Sequence, residues 1–137
     1  MSTVSLTLDE IFDLAKKTLL ANGCDDETAS ILSDLIRNAE RDGSVSHGLF
    51  RLPAYVSGLK SGKINGKGKP EVKKISPSVI KVQGNNSLAP VVLSKSLPEL
   101  SKAAKENGVA VLAINNSHHM AAMWPETEKL AEDGLVA

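Results

Sequence analysis

The run Val-Ala-Val-Leu-Ala-Ile at residues 109–114, set directly behind Gly108, constrains this chain more than any other stretch. It contains no polar residue, so it does not alternate as a half-exposed strand would. It is also too short to stand as a helix. We read it as a strand buried on both faces, which demands covering elements. Residues 90–107 just before it supply a helix candidate, with Pro98 a local obstacle. Two short strands are expected at residues 71–75 and 79–83, around the turn "SPS". The segment "GNNSLAP" at 84–90 reads as loop. A last helix is expected at 125–133, stopped by Gly134. Leu135, Val136 and Ala137 look like the opening of another buried strand. The chain stops inside it, so we expect a truncated protein; the other reading is a short edge strand completed here or by a partner subunit.

The first half has a different period. Residues 7–21 carry Leu8, Ile11, Phe12, Ala15, Leu19 and Leu20 on one helical face. Thr7 and Glu10 stand in the capping-box spacing. Asp25 or Asp26 caps a second helix running to about Arg41, with acids near its start and Arg37 and Arg41 near its end, as the helix dipole favours. After Asp42-Gly43 a helical pattern resumes at about 47–60, where Pro53 either kinks it or starts a new segment. Helices first and strands later give an α+β (mixed α/β) class. The expected division is a helical substrate or dimerisation region at 1–70 and an incomplete α/β region at 71–137. No strand leads into a GxGxxG loop, so a Rossmann unit is not expected.

Composition closes several functional routes. Lys plus Arg equals Asp plus Glu at 16 each, which argues against nonspecific nucleic-acid binding. The aromatics are Phe12, Phe50, Tyr55 and Trp124, too few for a stacking platform. The concentrated positive charge at 60–74 is glycine-rich and reads as a solvated connection. Cys24 is the only cysteine, so neither an internal disulfide nor a Cys-rich metal site is available. It reads as a small buried hydrophobe. There is no secretory signal pattern and no apolar run of membrane-spanning length, which makes the expectation cytoplasmic, without a membrane role.

Two places carry candidate chemistry. His47 and Arg51 are four residues apart, and if Ser46 caps a helix there, both point along one face. Histidine exchanges protons near neutral pH, and arginine holds a carboxylate through paired hydrogen bonds. His118 and His119 follow the apolar strand, with Asn115, Asn116 and Ser117 before them, where α/β structures often bind ligands. The competing reading is a histidine that satisfies loop backbone. Three histidines suffice for an open zinc site, but no helical metal-ligand pair is present and we expect no metal. Ser46 and Ser117 each precede a histidine without a nucleophile elbow. Trp124 and Met120 are either pocket cover or core.

The stretches "ERDGSVSHGLFRLPAYVSGLKSGKING" and "AINNSHHMAAMWPETEKLAEDGLVA" resemble the non-Rossmann malate/L-lactate dehydrogenase family. The SHH followed by AA and WP is more similar to its Δ1-piperideine-2-carboxylate/Δ1-pyrroline-2-carboxylate reductase branch. "SLAPVVLSKSLPELSKAAKENGVAVLAI" fits that branch too. The resemblance covers essentially the whole chain and less than half of a full member. It implies NADPH- or NADH-dependent reduction of a small carboxylate-bearing cyclic imino acid, or of a keto acid, by a cytoplasmic homodimer. It implies Arg51 and Ser46 at the substrate, His47 and His119 as acid/base candidates, and His47, His119 and His118 beside the cofactor. The chain departs from the branch in two places: Asn85, Asn86 and Ser87 stand where an acidic residue and glycine are expected, and Met120 stands where phenylalanine is usual. The family's central nucleotide-binding region and a later aspartate would lie beyond Ala137. From this we expect an N-terminal fragment, inactive alone, for which a complementary C-terminal chain is the natural partner. The alternatives are a malate/L-lactate-type 2-hydroxy acid dehydrogenase, or a noncatalytic assembly module.

Overall fold

The computed structural model describes residues 4–118 and 121–137. The chain divides into two compact units, one ending at Gly66 and the next beginning at Lys67.

The first unit is built on an αα-hairpin. Helix α1 (Leu8–Ala21) starts at Thr7, whose hydroxyl accepts from Glu10 N–H while the Glu10 carboxylate accepts from Thr7 N–H. This is the expected capping box. Helix α2 (Asp26–Arg41) is capped by Asp25, which accepts from Thr28 N–H at 2.9 Å. Ile11, Ala15 and Leu19 form a buried stripe on α1, and Ala29, Leu32, Ile36 and Ala39 form one on α2. Both follow helical spacing, and the two helices pack through them. At their junction Cys24 is buried, as its sequence context suggested. Gly66 lies so close that a Cβ on it would sit 2.8 Å from the Gly23 carbonyl oxygen. Asp25 N–H donates to the Gly66 carbonyl at 3.0 Å, locking that approach.

The expected helix over 47–60 is not one element. Two 3-10 turns, Val45–His47 and Leu49–Arg51, precede α3 (Leu52–Lys60). Pro53 falls in the first turn of α3, where its missing N–H costs no hydrogen bond. Thus Pro53 starts a segment and kinks nothing.

The second unit is a three-stranded sheet in the order β1-β2-β3, with helices α4 and α5. Strand β1 (Glu71–Ser76) pairs antiparallel with β2 (Val79–Leu88), which pairs parallel with β3 (Val111–His118). The crossover between the parallel strands is α4 (Ala89–Asn107). Ile80, Val82, Val92 and Ala103 make the buried core, with Leu100, Leu112 and Ile114 packed against it. Helix α4 continues through Pro98, which is on its exposed side. It ends at Gly108 with φ 79°, a left-handed conformation that glycine adopts without a Cβ clash. Helix α5 (Trp124–Glu132) packs on α4, where Ser101 Oγ donates to Asp133 at 2.7 Å. That hydrogen bond is the main reason the Asp133 carboxyl titrates below its usual range.

Three expectations are corrected here. The loop read at 84–90 is largely strand, because β2 continues to Leu88 and α4 starts at Ala89. Strand β3 is half-buried on one face only: Leu112 and Ile114 pack against the core under α4, while Val111 and Ala113 are exposed. A purely apolar run specifies a strand without specifying what covers its second face. Residues 135–137 form no strand.

The register of β2 makes a sharp test. Ile80→Ala opens a cavity beneath α4 and should cost about 2–5 kcal/mol. Lys81→Ala, on the exposed face, should stay within about 0.5 kcal/mol. Urea unfolding of the two variants checks the difference, and a one-residue slip would reverse it.

Candidate functional site

In the first unit the chemistry-bearing residues lie on residues 44–51, between α2 and α3. His47 N–H donates to the Ser44 carbonyl at 2.8 Å, which closes the first 3-10 turn. The His47 ring is held by its neighbours: Nδ1 is 3.0 Å from Ser46 Oγ and 3.3 Å from Ser44 Oγ. Each hydroxyl can donate to Nδ1 or accept from it, so the two serines hold the ring in either tautomer and when it is protonated. Ser46 caps no helix. It sits inside the first turn, and its carbonyl oxygen accepts from Arg51 Nε at 2.9 Å. His47 and Arg51 are therefore not stacked on one α-helical face, as the four-residue spacing suggested. A loop of backbone, closed by the Arg51 side chain, brings their segment together.

Arg51 is half-buried, and no carboxylate pairs with it among the described residues. With Nε committed to Ser46, the terminal guanidinium nitrogens keep the donor pair that suits a planar carboxylate. Arg51 also acts on Tyr55, one turn along in α3. Tyr55 is fully buried, and burial pushes its hydroxyl up to about 12, while the Arg51 charge opposes part of that rise. Cys24 is pushed up to about 11, first by burial and then by the neighbouring Asp25 charge. A thiol so poised is no nucleophile at neutral pH.

In the second unit His118 is the last residue of β3, half-buried and paired in register with Leu88. His119 and Met120 lie outside the described residues. The polar residues before His118 belong to the strand, not to a turn. Two Asn-Asn-Ser triplets face each other there: the ladder pairs Gln83 with Asn115, breaks, and resumes with Ser87 opposite Ser117. Asn85, Asn86 and Asn116 take φ of 51°, 59° and 50°, and asparagine is the non-glycine residue that tolerates this best. Gly84 permits the close approach, since a Cβ there would lie 2.6 Å from the Asn116 carbonyl oxygen. The repeated triplet was visible in the sequence, but its pairing was not.

Beside these residues is a cleft of about 430 Å³. Ala89, Leu93 and Ile114 give it an apolar wall, and Asn115, Asn116 and Ser117 give it a polar rim. Glu126 and Thr127 of α5 also line it. A cleft of this size and mixed lining suits a small ring bearing amide or hydroxyl groups. The sequence offered Trp124 of α5 as pocket cover, whereas Glu126 and Thr127 are the α5 residues that line the cleft. Among the described residues there is no cluster of three or more histidine, cysteine or carboxylate side chains suited to a metal ion. No helix among them is long and apolar enough to cross a membrane.

Residues 6–137 match the family described as malate/L-lactate dehydrogenase. A Delta(1)-pyrroline-2-carboxylate/Delta(1)-piperideine-2-carboxylate reductase of Pseudomonas syringae pv. tomato is 39% identical over 135 residues, covering 98% of this chain and 39% of that protein. The crystal structure of delta1-piperideine-2-carboxylate reductase from the same pathovar matches with a TM-score of 0.91 at 38% identity, covering 96% of this chain and 40% of that one. Malate dehydrogenase from Pyrococcus horikoshii OT3 matches with a TM-score of 0.87 at 30% identity, over 96% of this chain and 38% of that one. The chain thus spans about two fifths of the length of the relatives it matches.

Buried Cys24 and Tyr55 give the first unit a pH signature. Both titrate higher when folded than when unfolded, so above the unfolded values the unfolded chain holds fewer protons. Stability should therefore be intact below about pH 9 and fall as pH rises toward 11 and then 12. Cys24→Ala should flatten the first part of that fall in unfolding measured from pH 8 to 11.

Proposed function

The chain belongs to the malate/L-lactate dehydrogenase family, and from that premise we propose that it serves NAD(P)H-dependent reduction of a small cyclic imino acid. The substrate is Δ1-piperideine-2-carboxylate or Δ1-pyrroline-2-carboxylate, and the product is the L-amino acid. The observation that carries this reading is the Ser46–His47–Arg51 arrangement, in which a tethered guanidinium and a serine-held imidazole share one short segment. The likeness to the Pseudomonas syringae reductase supports the choice of substrate.

Arg51 receives the substrate carboxylate through its terminal nitrogens. Because Nε is already fixed, less side-chain freedom is lost on binding than for an untethered arginine. Orientation of the ring in this way is a large part of what such a site contributes. A reduced nicotinamide bound there would supply the hydride that the imine carbon takes up. The imine nitrogen then needs one proton, and His47 supplies it as general acid. Ser44 and Ser46 hold the ring in place for that transfer. In the second unit, the apolar wall and amide rim of the cleft fit a nicotinamide-sized group, with His118 next in sequence to the rim residue Ser117. His119 is assigned a second acid/base role on its sequence position alone. A homodimer belongs to the same reading.

A 2-hydroxy acid dehydrogenase is the second reading, favoured by the likeness to the Pyrococcus malate dehydrogenase. The two differ in product. With the native protein and either reduced nicotinamide, the imino acids should be turned over with a kcat/KM at least about tenfold above pyruvate or oxaloacetate. The reverse ranking overturns the imino acid assignment. Arg51→Lys should forfeit a charge-assisted hydrogen bond, about 1.5–3 kcal/mol, and raise KM by about 10- to 150-fold. His47→Ala should lower kcat by about 10²–10⁴ with KM less affected.

A further inference from the structure

Glu40 opens the stretch "ERDGSVSHG" but none of the roles above falls to it. It occupies the last turn of α2, where a carboxylate meets the negative end of the helix dipole. Its place there has no helical rationale. The side chain instead reaches nine residues along the chain, where Oε1 accepts the Leu49 backbone N–H at 2.7 Å. The amides around Leu49 are served by the backbone: His47 by Ser44, Gly48 by Val45, and Arg51 by Gly48. Leu49 opens the second 3-10 turn and is served by Glu40.

Gly48 supplies an independent observation. It joins the turn that ends at His47 to the turn that carries Arg51. A Cβ placed on Gly48 would collide with the Glu40 carboxyl. The carboxyl group and a side chain at 48 therefore compete for the same space, and glycine leaves it to Glu40. A charge-assisted hydrogen bond from a helix well buried through Ile36 and Ala39 makes a firm anchor for an otherwise short, irregular segment.

We infer that Glu40 is a positioning residue, whose carboxylate fixes the joint between the turn of His47 and the turn of Arg51 and so sets where the imidazole and the guanidinium stand. The catalytic consequence rests on the reductase reading given above; the brace itself does not. Glu40 touches no substrate in this account and acts through Leu49 and Gly48.

The test uses Glu40→Ala, Glu40→Gln and Gly48→Ala in the native protein. Proton exchange at the Leu49 amide and at Arg51 Nε–H is followed by NMR, beside steady-state reduction of Δ1-piperideine-2-carboxylate. Glu40→Ala and Gly48→Ala should speed both exchanges and lower kcat/KM by about 10²-fold, the scale of a small misplacement of reacting groups. Glu40→Gln keeps an acceptor and should restore both readouts most of the way. Wild-type exchange in a folded Glu40→Ala or Gly48→Ala protein overturns the brace. Faster exchange with unchanged kinetics overturns the positioning role. If the wild-type protein reduces no imino acid, the reductase reading fails, and the Arg51 Nε–H exchange alone decides whether Glu40 sets that side chain. Should Glu40→Ala not fold, Gly48→Ala displaces the same carboxyl with α2 left unaltered.

Discussion

The bond from Arg51 Nε to the Ser46 carbonyl, 2.9 Å long, closes a short ring of chain around His47, and the geometry of the candidate site in the first unit depends on that closure. An arginine free to rotate would present its charge to solvent over many orientations. One tethered at Nε presents two terminal nitrogens in a limited set of directions, which is the condition for gripping a carboxylate by its plane. The same carbonyl belongs to the residue whose hydroxyl contacts the His47 ring. Ser46 thus links the two candidate side chains, one through its backbone and one through its side chain. The supporting frame is the αα-hairpin, whose second helix also carries Glu40.

The helices of this frame were legible because their signals are local. Thr7 with Glu10, and Asp25 with its first-turn acids, announce helix starts by groups that bond within four residues. The segment at 44–51 was misread for a related reason. A four-residue separation of His47 and Arg51 is what an α-helix would produce, yet two successive 3-10 turns also bring those side chains onto one segment. What distinguishes the cases is the Arg51–Ser46 bond and the reach of Glu40 to Leu49, neither of which is a periodic signal.

The second unit shows the opposite limit. The apolar run at 109–114 marked a strand, which spans Val111–His118 and so takes in the polar residues behind the run. Asparagine and serine are turn formers by propensity, so both Asn-Asn-Ser triplets read as the ends of their strands. Their serines, Ser87 and Ser117, pair across β2 and β3, a contact between residues thirty positions apart. Left-handed asparagines let the ladder break and resume, and the resumption carries His118 to the last rung. A pairing of that kind is non-local, and propensity counted along the chain does not see it.

The central claim is that residues 46–51 form a carboxylate-binding, proton-donating site. The most direct measurement is an NMR titration of the native protein with pyrrole-2-carboxylate, a planar analogue of the five-membered imino acid, following the nitrogen shifts of the His47 ring and the Arg51 guanidinium. Saturable shifts are expected at both, with a common midpoint, and their loss in Arg51→Gln. Saturable binding that leaves both sets of nitrogens unmoved, or no binding by the folded protein, would contradict it.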